Sequence, residues 1–337
     1  FAERAFGRPV VSFLVGFCML AAGVTSAAGL SVAFAGDYLS AFLDVPTVPA
    51  ALVFLAVVAL LNARGIKESM RANVVMTVVE VSGLVLVVVL ACVVLGRGDG
   101  DLGRTLEFTD AVNPAVAVLA AALLAFYSFV GFETSANMAE EVRDVHRVYP
   151  RALFLSLATA GAVYVAVGLA VSAVLPASDL ADTSAPLLAV VSAADVGVPD
   201  RLFGLVALIA VANGALLTMI MASRLTYGMA GQRLLPAVAG RVLPRRQTPW
   251  VAIVATTVVA MILAATGTVA ALAETVVLLL LIVFVSTNLA VLVLRKDRVD
   301  HPHFRTPVIL PVLALISCVA STPQLIRART GRITGGR

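Results

Sequence analysis

Nine long apolar runs, separated by short charged segments, most constrain what this chain can fold into. They span residues 10–34, 48–61, 72–95, 115–137, 152–175, 202–229, 250–265, 270–294 and 307–326. A helix needs about 20 apolar residues to cross a bilayer, and most of the runs are long enough. None shows the two-residue alternation of a membrane β-strand. The sequence therefore predicts an all-α polytopic membrane protein with about nine transmembrane helices.

The distribution of basic residues predicts the orientation of the spans. Most of the 24 Lys and Arg residues lie in alternate loops, and the opposite loops hold only Arg97, Arg104 and Arg201. Basic loops mark the cytoplasmic side, so the chain is predicted to enter its first span from the cytoplasm. The basic tail after the last span departs from this alternation. Either a final helix is missing, the last span does not cross fully, or the tail tolerates its position.

The composition and the scattered reactive residues exclude several classes of protein. With 61% hydrophobic and 13% charged residues, the chain is unlike a soluble protein of its size. No basic patch interleaves with aromatic residues, so nucleic acid is not expected as a partner. The three cysteines lie in separate apolar runs and are predicted to be small interior residues without disulfides. No metal or cofactor is predicted, since the His301 and His303 pair lies in a polar loop without a third ligand.

The fourth apolar run is interrupted while it should still be inside the bilayer. Gly131 follows a group of aromatic residues, and Glu133 comes two residues after it. A charged side chain at the bilayer centre costs roughly 2.5 kcal/mol or more. Irregular backbone is tolerated at this depth only where protein or water covers it. The stretch therefore predicts a broken helix that lines a polar cavity, as in many secondary transporters.

Four motifs in order resemble the amino acid–polyamine–organocation (APC) superfamily of permeases. The first is the interrupted run and the loop after it: Phe126, Phe129, Gly131, Phe132, Glu133, Glu140, Glu141, Arg143, Arg147, Pro150, Arg151 and Ala152. The second is the stretch from Asn62 to Ser69, followed by Arg71 and Asn73. The third runs from Asn213 and Gly214 to Leu235 and Pro236, and the fourth is Phe304 to Pro307. Together they cover nearly the whole chain.

The resemblance implies an inverted-repeat helix bundle with a discontinuous central helix. The nine spans would be the family's helices three to eleven, in one transmembrane domain over residues 1–337. The family's first two helices and its twelfth have no counterpart here. Because the chain also begins at Phe1 rather than methionine, we expect it to be a piece of a longer protein.

The resemblance also implies a substrate site at the break in the fourth run. Aromatic residues there would close over the substrate, and the freed backbone would bind its amino group; the candidates are Phe126, Tyr127, Ser128, Phe129, Val130 and Gly131. The alternative for the aromatic residues is ordinary packing between helices. Asn213 is a further candidate for substrate binding, although asparagine beside glycine also serves to hydrogen-bond and pack neighbouring helices.

Two acids inside the apolar runs are candidates for proton coupling. Desolvation would favour the protonated form of Glu133, which suits a proton carrier. Its alternative role is to be held by backbone N–H groups at the start of the second half-helix. Glu80 stands where many relatives carry a lysine, so it could be a second proton site or pair with an arginine. It could also be a carboxylate close enough to the cytoplasmic end to reach water.

The sequence thus predicts a secondary transporter of amino acids or related amines in the plasma membrane, driven by proton symport or exchange through alternating access. Its expected partners are the small-molecule substrate, protons and the lipid bilayer. An inactive or split permease is an alternative. An integral membrane enzyme is disfavoured, because no histidine lies in any span and Gly98-Asp-Gly-Asp101 reads as a turn in an outside loop.

Overall fold

Helices make up all the regular secondary structure in the described part of the chain. They are α1 (Ala2–Phe6), α2 (Pro9–Ala33), α3 (Thr47–Arg64), α4 (Ile66–Arg97), α5 (Val145–Val174), α6 (Ala177–Asp182), α7 (Pro186–Ala194), α8 (Asp200–Gly231), α9 (Trp250–Thr266), α10 (Val269–Leu294) and α11 (Ile309–Val319). The computed structural model describes residues 2–107, 114, 118, 121–122, 129, 131–132, 135, 142–182, 186–244, 246, 248–296 and 306–319.

The predicted membrane architecture is confirmed. Helices α2, α3, α4, α5, α8 and α10 are long and apolar enough to cross a bilayer, and α9 and α11 are shorter apolar helices. Each predicted run except residues 115–137, most of which lie outside the described residues, corresponds over its described part to one of these helices. Valine and isoleucine side chains left exposed along these helices, such as Val78, Val85 and Ile262, are suited to contact with lipid.

Two helices begin earlier than the apolar pattern predicts. Helix α4 starts at Ile66, because the polar residues before the apolar run continue the same helix. Helix α5 starts at Val145 and runs through Pro150 in its second turn. Proline has no N–H, so it costs that turn one hydrogen bond, but the rest of the helix is long enough to retain it.

Contacts between helices group the chain into two compact units, of which the first contains residues 1–40, 45–73 and 214–337. Within this unit, α2 packs against α3, α9 and α10. The second half of α8 runs antiparallel to α2, because Gly16 approaches Met229, Gly23 approaches Met221 and Leu30 approaches Gly214. This direction agrees with the alternation that the basic loops predicted.

The second unit contains residues 41–44 and 74–213. Its apolar core joins the outer half of α4 to the C-terminal end of α5, to α7 and to the start of α8, through Val87, Leu90, Ala91, Val94, Ala170, Val174, Val190, Val191, Ala194 and Phe203. The single-domain prediction for the whole chain stays a prediction.

Two of the three arginines in the outside loops have a structural role in this unit. Arg97 donates to the carbonyl of Ala194, at the end of α7, over 2.7 Å. Arg104 donates to the carbonyl of Val174, at the end of α5, over 3.0 Å. The last carbonyls of a helix lack partners within it, and a cation there also interacts favourably with the helix dipole. These arginines therefore cap two helices.

The cysteines match the prediction only in part. All three are free, and Cys18 and Cys318 are buried. Cys92 is exposed on α4, so its assignment as an interior residue is wrong. The apolar run indicates that Cys92 lies in a span, but it does not indicate which face of the helix the residue occupies.

Candidate functional site

Glu80 lies within the apolar part of α4, and its side chain is half-buried. It comes seven residues after Asn73, the last polar residue of the amphipathic start of the helix, so it is about 10 Å further along the axis. Thr77 lies three residues before Glu80 and therefore shares its face of the helix. This face turns a hydroxyl and a carboxyl group toward α8.

The side chain of Asn213, on α8, joins these two groups. Its Nδ2 donates to Thr77 Oγ1 over 3.1 Å and lies 3.5 Å from Glu80 Oε2. The residue is only 4% exposed, so its amide is available to these partners and not to water. The Glu80 carboxyl group therefore contacts a neighbouring span. This contact favours neither of two roles considered for Glu80, which were to pair with an arginine and to reach water at the cytoplasmic surface.

One atom of this cluster has no hydrogen-bond partner in the described part of the chain. Asn213 Oδ1 is buried, and no described residue donates a hydrogen bond to it. An unpaired buried acceptor costs about 1–3 kcal/mol, so native structures contain few of them. The free acceptor is a reason to look for a function in the Thr77, Glu80 and Asn213 cluster.

A glycine one turn beyond Glu80 brings α4 and α8 close together. A Cβ on Gly83 would lie 2.5 Å from Cγ1 of Val206, well inside van der Waals contact. Only glycine allows this separation, and glycine at such positions lets membrane helices approach closely. The hydrogen bonds of Asn213 join the same two helices.

The backbone at Gly131 excludes a continuous α-helix through the predicted break. Ala121 and Ala122 are helical, but Gly131 has φ of +128°, which side-chain-bearing residues rarely adopt. Phe126, Tyr127, Ser128, Val130 and Glu133 lie outside the described residues. Their predicted roles in substrate binding and proton coupling stay predictions.

Phe129, just before the break, packs against α5. Its ring makes an edge-to-face contact with Tyr164, with centroids 5.1 Å apart and an interplanar angle of 80°. It also lies over Gly161, where an added Cβ would be 3.6 Å away. After the break, Ser135 Oγ lies 3.1 Å from the Tyr149 hydroxyl. Helix α5 thus holds the chain on both sides of Gly131, and the aromatic-packing alternative describes the contact seen for Phe129.

The second motif, from Asn62 to Ser69, forms a corner between α3 and α4. Gly65 makes the turn with φ of +138°. Each carbonyl group at the end of α3 accepts a hydrogen bond. Ser69 Oγ donates to the carbonyls of Leu61 and Gly65, and the Gly65 N–H donates to the carbonyl of Asn62. Thr248 donates to the carbonyl of Ala63, and Arg246 donates to the carbonyl of Arg64. The motif therefore has a structural explanation.

Asn62 ties this corner to α8. The residue is buried, and its Nδ2 donates to the Met219 carbonyl over 3.3 Å and to Ser223 Oγ over 3.1 Å. The same hydroxyl of Ser223 donates to Ile220 within its own helix. Ser223 therefore keeps a partner even when Asn62 is replaced.

We expect Asn62→Leu to lower the free energy of unfolding by about 1 kcal/mol, since hydrogen bonds between spans have about this value. Asn62→Asp should cost more, because it buries a carboxylate and places it against the Met219 carbonyl, which can only accept. Thermal unfolding in detergent measures both. Asn288→Leu is the control, because the hydrogen bond of the Asn288 amide among the described residues lies within its own helix, to Phe284. Equal stability of the Asn62→Asp and Asn62→Leu variants would contradict the assigned hydrogen bonds.

Comparison with known proteins decides the family of the chain. Residues 1–332 match the model of a family described as amino acid permease. The chain belongs to the amino acid permease family. This confirms the resemblance drawn from the four motifs, and it is a family of permeases rather than enzymes.

Three relatives illustrate the range of the family. The branched-chain amino acid permease BcaP of Bacillus subtilis (strain 168) is 27% identical over 80% of this chain and 57% of its own length. The methylthioribose transporter of the same strain is 28% identical over 80% and 56%. The low-affinity putrescine importer PlaP of Escherichia coli (strain K12) is 30% identical over 49% and 37%. This permease chain thus spans little more than half the length of the first two.

The sequence alone singled out Glu80 and Asn213, and the structure brings them together. It did not single out Thr77 or Gly83. Each lies three residues from Glu80, and this spacing would have placed both on the same face of the helix as Glu80. Among the described residues, no group of three or more His, Cys, Asp or Glu residues could hold a metal ion.

Proposed function

We propose that this protein is a secondary transporter of amino acids or related amines in the cytoplasmic membrane, coupled to protons through symport or exchange. The family match and the transport names of its relatives support the general activity. The observation that carries the coupling is the carboxyl group of Glu80, which lies in a span and is bonded to a buried amide. An ionisable group at such a position is expensive to maintain unless it serves transport.

Glu80 is proposed to carry the coupling proton, with Glu133 as a second proton site. A carboxyl group that is ionised in one conformation and protonated in another can move a proton with the substrate. Nearby acids do not compete with Glu80 in the described part of the second unit, since α7 carries none and α5 carries none after Val145. Transport would follow the rocking of one helix group against another.

The substrate is proposed to bind at the break around Gly131. Discontinuous helices form the substrate sites of many secondary transporters, where the ends of the half-helices bind the charged groups of the substrate. The candidate residues come directly before Gly131 in the sequence and are Phe126, Tyr127, Ser128, Phe129 and Val130. Asn213, whose amide is engaged by Glu80 and Thr77, is assigned to the coupling site in preference to the substrate site.

Uptake by proteoliposomes tests the transport activity. The purified protein would be reconstituted and supplied with labelled branched-chain amino acids or putrescine, under an imposed pH gradient or an imposed sodium gradient. We expect the pH gradient, acidic outside, to drive accumulation of one of these classes. Absence of uptake, and of exchange between labelled and unlabelled substrate, would contradict the proposal.

Glu80→Gln tests the coupling. We expect it to abolish accumulation driven by the pH gradient, because glutamine cannot take up a proton, while exchange of substrate persists. Glu107→Gln is the matched control, since Glu107 is an exposed carboxylate in an outside loop. If the Glu80→Gln variant accumulates substrate with an unchanged pH dependence, Glu80 is not the coupling group.

A further inference from the structure

Asn213 offers Glu80 a different hydrogen bond in each protonation state. In the structure, the amide turns its N–H₂ group toward Glu80 and Thr77 and leaves Oδ1 buried without a described partner. This orientation suits an ionised carboxylate, which only accepts hydrogen bonds. A protonated carboxyl group instead donates through its O–H, and an N–H₂ group cannot receive that bond.

The carboxamide can exchange its two ends by turning 180° about its last side-chain bond, because its oxygen and nitrogen are nearly the same size. After the turn, Oδ1 would face Glu80 and accept from the protonated acid. Thr77 is compatible with either orientation, since a hydroxyl both donates and accepts. The orientation of the amide is therefore decided by the proton on Glu80 and not by Thr77.

We infer that Asn213 is a positioning residue for the coupling proton, and that its amide turns over when Glu80 is protonated or deprotonated. This inference rests on the proposed role of Glu80. Along α4, the charged residues nearest to Thr77 and Glu80 are Arg71, six residues before Thr77, and Arg97, well beyond Glu80. Along α8, those nearest to Asn213 are Arg201 and Arg224, each more than nine residues away. In the same unit, the described spanning part of α5 contributes only Tyr164 as a titratable group. Glu80 is therefore the titratable group that contacts the Asn213 amide in the described part of this unit.

The amide favours the ionised acid more than the protonated one, because a hydrogen bond to a charged carboxylate is stronger than one between neutral groups. Removing the amide should therefore make Glu80 take up its proton more readily. Asn213→Leu keeps the size of the side chain and removes both hydrogen-bonding ends. We expect it to move the midpoint of the pH dependence of uptake upward by about one pH unit, roughly a ten-fold change in proton affinity.

Infrared difference spectroscopy between acidic and alkaline pH tests the turn itself in the unaltered protein. The carbonyl band of a protonated carboxyl group should appear on acidification, together with a shift in an asparagine amide band identified by ¹⁵N labelling of asparagine side chains. Both signals should titrate with the same midpoint. In Glu80→Gln, the amide shift and the part of the carboxyl band that titrates with it should vanish. In Asn213→Leu, only the amide shift should vanish, and the Glu80 part of the carboxyl band should titrate at higher pH.

The outcomes separate the inference from the proposed function. A carboxyl band that titrates without any amide shift, or an Asn213→Leu midpoint equal to that of the unaltered protein, would overturn the role of Asn213 and leave Glu80 as the proton carrier. A sodium-dependent shift at constant pH, without a carboxyl band, would overturn both. Asn288→Leu is the control and should change neither signal, because its amide bonds within its own helix. Where a variant fails to fold, the test is whether the carboxyl band and the amide shift of the unaltered protein titrate with the same midpoint.

Discussion

Gly83→Ala is expected to lower the free energy of unfolding by about 1–3 kcal/mol, the usual cost of forcing extra volume into a packed interface. The new Cβ would lie 2.5 Å from Cγ1 of Val206, which belongs to a short, stiff side chain that cannot turn away. Helices α4 and α8 would have to separate locally. Thermal unfolding in detergent measures the loss.

Two variants make this expectation specific. Gly23→Ala is a matched control, because its Cβ would also lie 2.5 Å from another atom, but that atom is the terminal Cε of Met221. Methionine has three rotatable bonds and adapts to such a change. Val206→Ala combined with Gly83→Ala should restore most of the lost stability. Equal losses in the Gly83→Ala and Gly23→Ala variants would show that the approach of α4 to α8 is not the limiting contact.

The same substitution has a consequence for coupling. Separation of α4 from α8 would lengthen the hydrogen bonds from Asn213 to Thr77 and Glu80. The Gly83→Ala variant should therefore reproduce part of the pH shift expected of Asn213→Leu. Restoring the close approach with Val206→Ala should reverse both the loss of stability and the pH shift.

Gly131→Ala is expected to reduce the rate of uptake by about ten-fold. Gly131 has φ of +128°, and a residue with a side chain pays about 1–3 kcal/mol to adopt such a conformation. No described atom lies within 4 Å of the added Cβ, so the effect is one of backbone conformation and not of crowding. If the free energy of the binding conformation rises by about 1.4 kcal/mol, its population falls about ten-fold, and the rate of uptake falls with it.

Gly168→Ala is the control for this prediction. Gly168 lies within α5, and its added Cβ also meets no described atom within 4 Å. Alanine favours a helix over glycine by about 1 kcal/mol, so this variant should be as stable as the unaltered protein or more so. Uptake by the Gly131→Ala variant at the unaltered rate would mean that the unusual backbone at Gly131 is not needed for transport.

The fold could be predicted from the sequence because the membrane imposes a simple rule: a chain that crosses it must bury its backbone hydrogen bonds within each helix. Apolar length therefore located the spans, and the arginine and lysine pattern gave their directions. The break at Gly131 could be predicted as well, since a glycine and an acid inside an apolar run are both unfavourable in an unbroken span.

The partners of Glu80 could not be predicted in the same way. Periodicity indicates which residues share a face of a helix, but it does not indicate which other helix that face will meet. Asn213 lies 133 positions after Glu80 in the chain, and the sequence around either residue does not indicate that the two are in contact. Thr77 and Gly83 are ordinary residues in a membrane helix, and their importance depends on the approach of α8.

The fully bonded turn between α3 and α4 limits where this molecule can bend. With each carbonyl at the end of α3 engaged by Ser69, Gly65, Thr248 or Arg246, a change in angle there would break several bonds at once. Helix α3 and the first turns of α4 should consequently travel as one piece during a transport cycle.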